Sequence, residues 1–215
     1  MPQQSDLVPE ETKLFPLYVH ELWWLANGII VKTDQIFSKA KVPAEGYMIQ
    51  VDPELHSLIA SVLSDAANLK KLLITPSAKL NGESGKQRRL RRGRAAALLR
   101  LLNGVKLNEL LNAKVRNTLE HFDEYLDEAN LSISEAERPP SSVAAYNLVL
   151  SSWDAFNPRV YPIRIYISSE RKFYNMKWSV DLDAMNNEAS LVVARLKSSL
   201  CNTDGRPGGL MLRIG

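Results

Sequence analysis

The chain has 215 residues, 45% of them hydrophobic and 24% charged. These are ordinary values for a globular fold that buries a core in one or two domains, and they exclude wholesale disorder. Cys201 is the only cysteine, which excludes an intramolecular disulfide and a cysteine-built zinc centre within one chain and suits a reducing cytoplasm.

Formal net charge is only +3, yet Lys86, Arg88, Arg89, Arg91, Arg92, Arg94 and Arg100 fall within a single short segment. The location of that cluster matters more than the total. The most apolar long stretch, residues 14–31, contains His20, Glu21 and Asn27, and the N-terminus is acidic and polar. Neither a membrane span nor a secretion signal is expected.

In chain order, a first helix is predicted over residues 14–39, with Pro16 near its start and Leu22, Trp23, Ala26, Ile29, Ile30 and Phe37 at three- and four-residue spacing. Gly28 is a candidate kink. A second begins at Asp52-Pro53-Glu54, where Asp caps, Pro suits the first turn and Glu favours the positive end of the helix dipole. Its apolar face runs Leu55, Leu58, Ile59, Val62, Ala66, Leu69 and Leu73, and Pro76 lies beyond its end.

Residues 77–85 read as a loop, followed by a basic third helix to about residue 103 with Gly104 as its stop. A fourth helix is predicted over 107–129, where Leu111, Val115, Leu119, Phe122 and Leu126 form a narrow stripe suited to bundle packing. The composition of residues 130–142, with Arg138-Pro139-Pro140, predicts a linker.

Beyond it, Ile163, Ile165 and Ile167 alternate with Arg164 and Tyr166, and Tyr174, Met176, Trp178 and Val180 alternate with Asn175, Lys177 and Ser179. Joined through 168–172, they predict a hairpin. Residues 146–153 are a further strand candidate, and 184–200 read as a last helix packing through Met185, Ala189, Val192 and Leu196. The expected architecture is therefore mainly α, with an α+β character: a helical bundle over 10–130, a small β-hairpin and helix module over 143–202, and a flexible tail over 203–215.

Chemistry concentrates in the fourth helix. Arg116 and His121 stand about 140° apart around an ideal helix. Asn117 and His121 share a face almost opposite the apolar stripe, so His121 is not expected to be a core residue.

The run Arg116-Asn117-Thr118-Leu119-Glu120-His121 resembles the R-x4-6-H motif of HEPN domains, including the polar residue after the arginine. The longer string from Arg116 to Glu124 is similar to uncharacterised bacterial proteins carrying that motif on a late helix. The resemblance covers residues 10–130 and implies a HEPN-like four-helix bundle. It further implies a metal-independent endoribonuclease or an RNA-binding relative, acting as a homodimer that brings two motifs into one cleft. A toxin or defence context, with a protein partner or antitoxin, follows from the same resemblance.

In that chemistry the histidine takes the proton of a ribose 2′-hydroxyl, whose oxygen attacks the adjacent phosphate. Arg116 would stabilise the growing phosphate charge, and Asn117 would bond the phosphate or orient His121. The family variant with a tyrosine two residues after the histidine has Asp123 here, so its tyrosine modification does not carry over.

Two other readings stay open. Arg116 and His121 beside Glu120, Asp123 and Glu124 can equally be a solvated or paired helix face in a non-catalytic interaction module. The basic third helix can contact RNA phosphates, line a dimer cleft, or pair with the acidic fourth helix, and a solvated or intramolecularly paired face is the more frequent explanation of such a cluster.

No cofactor or metal is expected, since His20-Glu21 and Glu54 with His56 lack ligand spacing. Trp153, Trp178, Tyr161, Tyr166 and Tyr174 read as core or interface aromatics rather than base-stacking platforms. There is no phosphate-binding glycine loop and no G-x-S-x-G element.

Overall fold

A long helix opens the fold in the computed structural model, which describes residues 13–137, 141–197, 209 and 211–212. This helix, α1 (Phe15–Lys39), buries Val19, Leu22, Trp23, Ala26, Ile29 and Ile36. It runs as one helix through Gly28. A Cβ at Gly28 would lie 2.8 Å from an Asp65 carboxylate oxygen, which is itself 2.6 Å from Lys32 Nζ. The glycine provides clearance for the next helix.

That next helix, α2 (Pro53–Leu73), begins as its sequence indicates: Asp52 Oδ1 accepts the Leu55 N–H at 2.9 Å, and Pro53 occupies the first turn. Its buried side, Leu55, Ile59, Val62, Leu69 and Leu73 among others, faces α1. After the expected loop, α3 (Gly85–Leu101) starts at a capping box in which Ser84 Oγ accepts the Gln87 N–H and the Gln87 amide oxygen accepts the Ser84 N–H.

The predicted fourth helix is instead two shorter ones, α4 (Lys114–Glu120) and α5 (Phe122–Glu135), and residues 108–111 form a turn. Glu188 accepts the N–H groups of Asn108, Glu109 and Leu110 at 2.8, 3.2 and 2.9 Å, which ties this turn to the far end of the chain. Glu188→Ala is expected to destabilise the fold by about 2–3 kcal/mol, because three backbone donors lose a charged acceptor, and Glu188→Gln by less. Thermal unfolding of the two variants would measure it.

At its C-terminal end α5 extends into the segment predicted as linker. The chain then forms β2 (Ala144–Tyr146), β3 (Val149–Leu150), β4 (Tyr161–Ile163), β5 (Ile165–Ile167), β6 (Lys172–Asn175), β7 (Trp178–Asp181) and α6 (Leu182–Leu196). A five-stranded sheet has the order β1-β3-β5-β6-β7, where β1 (Ile49–Gln50) comes from the connection between α1 and α2. The β3–β5 pair is parallel and the other pairs of this sheet are antiparallel, while β2 and β4 form a separate parallel pair.

The sequence alternation survives in part. In β5, Tyr166 enters the main core and Ile165 and Ile167 enter a second, smaller core on the opposite face of the sheet, with Ala145, Trp153 and Val160. The predicted run 174–180 turns at Met176, whose φ is 55°, and folds back as a second hairpin. Phe173, rather than Tyr174, is the β6 side chain in the main core.

The main core joins residues of α1 and α2 to Val149, Tyr166, Phe173 and Val180 of the sheet and to Met185, Ala189, Val192 and Leu196 of α6. The helical segment and the C-terminal segment thus share one core, and Asn186 of α6 donates to Thr33 Oγ1 of α1 at 2.7 Å. The architecture is mainly helical, with α+β character. Among the described residues no helix is long and apolar enough to cross a membrane. Cys201 and nearly all of the predicted tail over 203–215 lie outside the described residues.

Candidate functional site

The motif residues occupy the junction between α4 and α5, where His121 leaves helical geometry at φ −109° and ψ 46°. Hydrogen bonding bridges the break: the His121 N–H donates to the Asn117 carbonyl at 2.9 Å, and the His121 carbonyl accepts the Tyr125 N–H at 3.1 Å. One turn earlier, the Thr118 hydroxyl donates back to the Val115 carbonyl at 2.6 Å, a local bond that commonly bends helices.

Thr118 also ties α4 to the sheet. Fully buried Asn175 donates to Thr118 Oγ1 at 2.8 Å and accepts the Arg164 N–H at 3.1 Å through its own Oδ1. The motif is therefore held from behind by an amide that looked like a solvent-facing strand residue in the alternation.

His121 is 56% exposed, and its Nδ1 lies 3.6 Å from a Glu124 carboxylate oxygen, close enough for charge coupling and too long for a hydrogen bond. Asn117, His121, Glu124, Tyr125 and Glu128 line an open cleft of about 400 Å³. The structure thus brings Asn117 and His121 together, as their four-residue spacing implies. Arg116 does not line this cleft and is ion-paired with Glu120 on the next turn of its own helix. The arginine and histidine of the motif therefore have different partners in this arrangement.

The basic helix divides into two sets. Arg88, Arg91 and Arg94 clamp the preceding loop and α2: Arg88 donates to the Ser77 carbonyl, Arg91 to the Pro76 and Ala78 carbonyls, and Arg94 to the Lys71 carbonyl, while Arg94 also lies over the Tyr18 ring at 5.1 Å. Arg89 is engaged as well. Lys86, Arg92 and Arg100 are exposed and carry no partner among the described residues. None of the seven lines the His121 cleft, so they do not offset its acidic wall locally.

Arg91 also makes a two-pronged pair with Glu83, at 2.7 and 2.8 Å, with both side chains largely covered. The Arg91 hydrogen bonds, helped by the Leu80 N–H, hold the Glu83 carboxyl down at about 2, against an ordinary value near 4.5. A carboxyl depressed in the folded state contributes stability that is complete above the unfolded value and is lost as pH falls toward the folded one. The difference in melting temperature between wild type and Glu83→Gln is therefore expected to be constant above about pH 5 and to shrink progressively toward pH 2.

A second cavity, of about 360 Å³, adjoins the cleft and shares Tyr125 and Glu128 with it. Lys177 bonds Glu128 at its edge, and that bond raises the lysine above its ordinary value. Trp153 and Tyr166 are core aromatics as expected, but Tyr161 and Trp178 line this cavity. His20 packs against Trp23 and Trp24, and both ring nitrogens of His56 lie 2.9 Å from backbone carbonyls, those of Asp52 and Arg164.

Comparisons with protein-family models, with curated proteins and with solved structures find no match to this chain.

Proposed function

We propose that the protein binds and cleaves RNA by HEPN-type chemistry centred on His121, working as a homodimer. The observation that carries this reading is the placement of His121 at a helix break, exposed, with Asn117 on the same wall of an open cleft. Glu124 beside Nδ1 favours the tautomer that protonates this nitrogen, which leaves Nε2 as the proton acceptor.

In the proposed step Nε2 takes the proton from a ribose 2′-hydroxyl, the freed oxygen attacks the neighbouring phosphorus, and the 5′-oxygen leaves with a proton from water or from the histidine of a second copy. The products are a 2′,3′-cyclic phosphate and a 5′-hydroxyl, with no metal required. Arg116 takes part by exchanging Glu120 for a phosphate oxygen when RNA binds.

The ion pair between Arg116 and Glu120, together with the acidic lining of the cleft, favours a second reading, a non-catalytic interaction module with a helical docking surface. Metal-free cleavage of a mixed RNA by wild type, Arg116→Ala and His121→Ala, with folding checked and product ends identified, separates the two. Cyclic-phosphate ends from wild type, lost in His121→Ala, support the nuclease. Equal inactivity of all three supports the docking module, and metal-dependent products with 3′-hydroxyl ends remove the mechanism.

A further inference from the structure

The cavity beside the His121 cleft has the chemistry of a nucleobase pocket. Tyr125, Ala129, Ile133, Tyr161, Met176 and Trp178 supply aromatic and aliphatic walls, and at about 360 Å³ it lies at the small end of ligand-site volumes. That size suits one planar ring system better than a helix or an extended peptide.

Its surroundings identify what the ring is attached to. Lys177 lines the cavity with its Nζ 5.5 Å from the centroid of the Trp178 ring, and Lys114, which does not line it, has its Nζ 4.5 Å from the same centroid. A base entering this cavity would bring its phosphate toward those cations. Because Tyr125 and Glu128 belong to both cavities, the sugar of the same nucleotide would lie toward Asn117 and His121.

The Glu128 carboxylate at the shared edge is bonded by Lys177, and it could accept hydrogen bonds from base N–H groups if that lysine turned toward a phosphate. Burial pushes the Tyr161 phenol above its ordinary value, so its hydroxyl remains neutral and able to donate.

We infer that the cavity between α5 and the β6–β7 hairpin holds one unstacked nucleobase of single-stranded RNA, next to the phosphodiester presented to His121. This rests on the RNA-cleaving reading above. It also gives that reading a physical requirement, since attack by the 2′-oxygen needs a nucleotide splayed out of its stack and held in place.

The test separates binding from cleavage by using a short unstructured 2′-O-methyl RNA, in which the attacking hydroxyl is blocked. Ser132 is exposed on the cavity rim, so Ser132→Trp fills the cavity without removing a core side chain. Tyr161→Leu removes one aromatic wall while keeping apolar bulk. With melting temperatures close to wild type, each variant is expected to bind roughly tenfold more weakly, the loss typical of one stacked base.

Equal affinity of wild type and both variants overturns the base pocket and leaves the RNA reading in place. Failure of wild type to bind the oligonucleotide overturns both. A concentration-dependent dimer that Ser132→Trp dissociates, with no oligonucleotide bound, assigns the cavity to a second copy of the chain and likewise overturns the proposal.

Discussion

Replacing Asn175 by alanine should destabilise the protein by roughly 2–4 kcal/mol, because the amide is fully buried and bonded at both ends. Its loss strips the Arg164 N–H of its acceptor and Thr118 Oγ1 of a donor, although the Thr118 hydroxyl still bonds Val115. The cost arises chiefly at Arg164, where a backbone donor would be left unpaired, and a small cavity adds to it.

In a chain of this length such a loss lowers the melting temperature by about 5–15 °C. A double-mutant cycle with Thr118→Val isolates the contact between helix and sheet, and a coupling of about 0.5 kcal/mol or more is expected between groups that touch. Additive effects of the two substitutions would mean that Asn175 does not hold α4 in place.

Much of this fold can be read from local chemistry. The start of α2 is set by Asp52 and Pro53, and its buried positions follow from the helical period. The same applies to α1 and to the packing face of α6.

Two of the departures come from partners distant in sequence, and a third from a local turn. Glu188 holds the turns at 108–110 that otherwise carry a helical pattern, and residues 49–50 become a strand only because β3 lies beside them. Asn175 looked outward because strict alternation was extended through Met176, whereas the chain turns there and Asn175 lies on the same face as Phe173.

The candidate site was legible to a similar degree. The four-residue spacing of Asn117 and His121 placed them on one face, and they do share a cleft. The pairing of Arg116 with Glu120 one turn on is among the readings that helical spacing allows, whereas helical projection could not show that His121 is itself the break between two helices. The cationic helix was legible as a charge cluster but not as a clamp. Arg88, Arg91 and Arg94 are used on carbonyl groups of the loop and α2, a role that depends on where residues 71–78 lie in space.

His121→Ala should lower metal-free RNA cleavage by roughly 10²–10⁴-fold, the usual contribution of a positioned general base. Glu120→Gln should act in the opposite direction. In the proposed RNA complex Glu120 would compete with phosphate for Arg116; both side chains are partly exposed, so the pair contributes little to stability and can be exchanged. Removing the carboxylate frees the guanidinium and deletes one negative charge, which should tighten RNA binding about two- to fivefold with little change in melting temperature.

The gain should vanish in the Arg116→Ala background, because no competing ion pair would be left to release. A docking module that does not use RNA predicts no response to either substitution, and a nuclease in which Arg116 is only structural predicts the His121 loss without the Glu120 gain. Affinity and cleavage measured on the three single variants and on the Arg116→Ala, Glu120→Gln double variant therefore assign separate roles to the two ends of the motif.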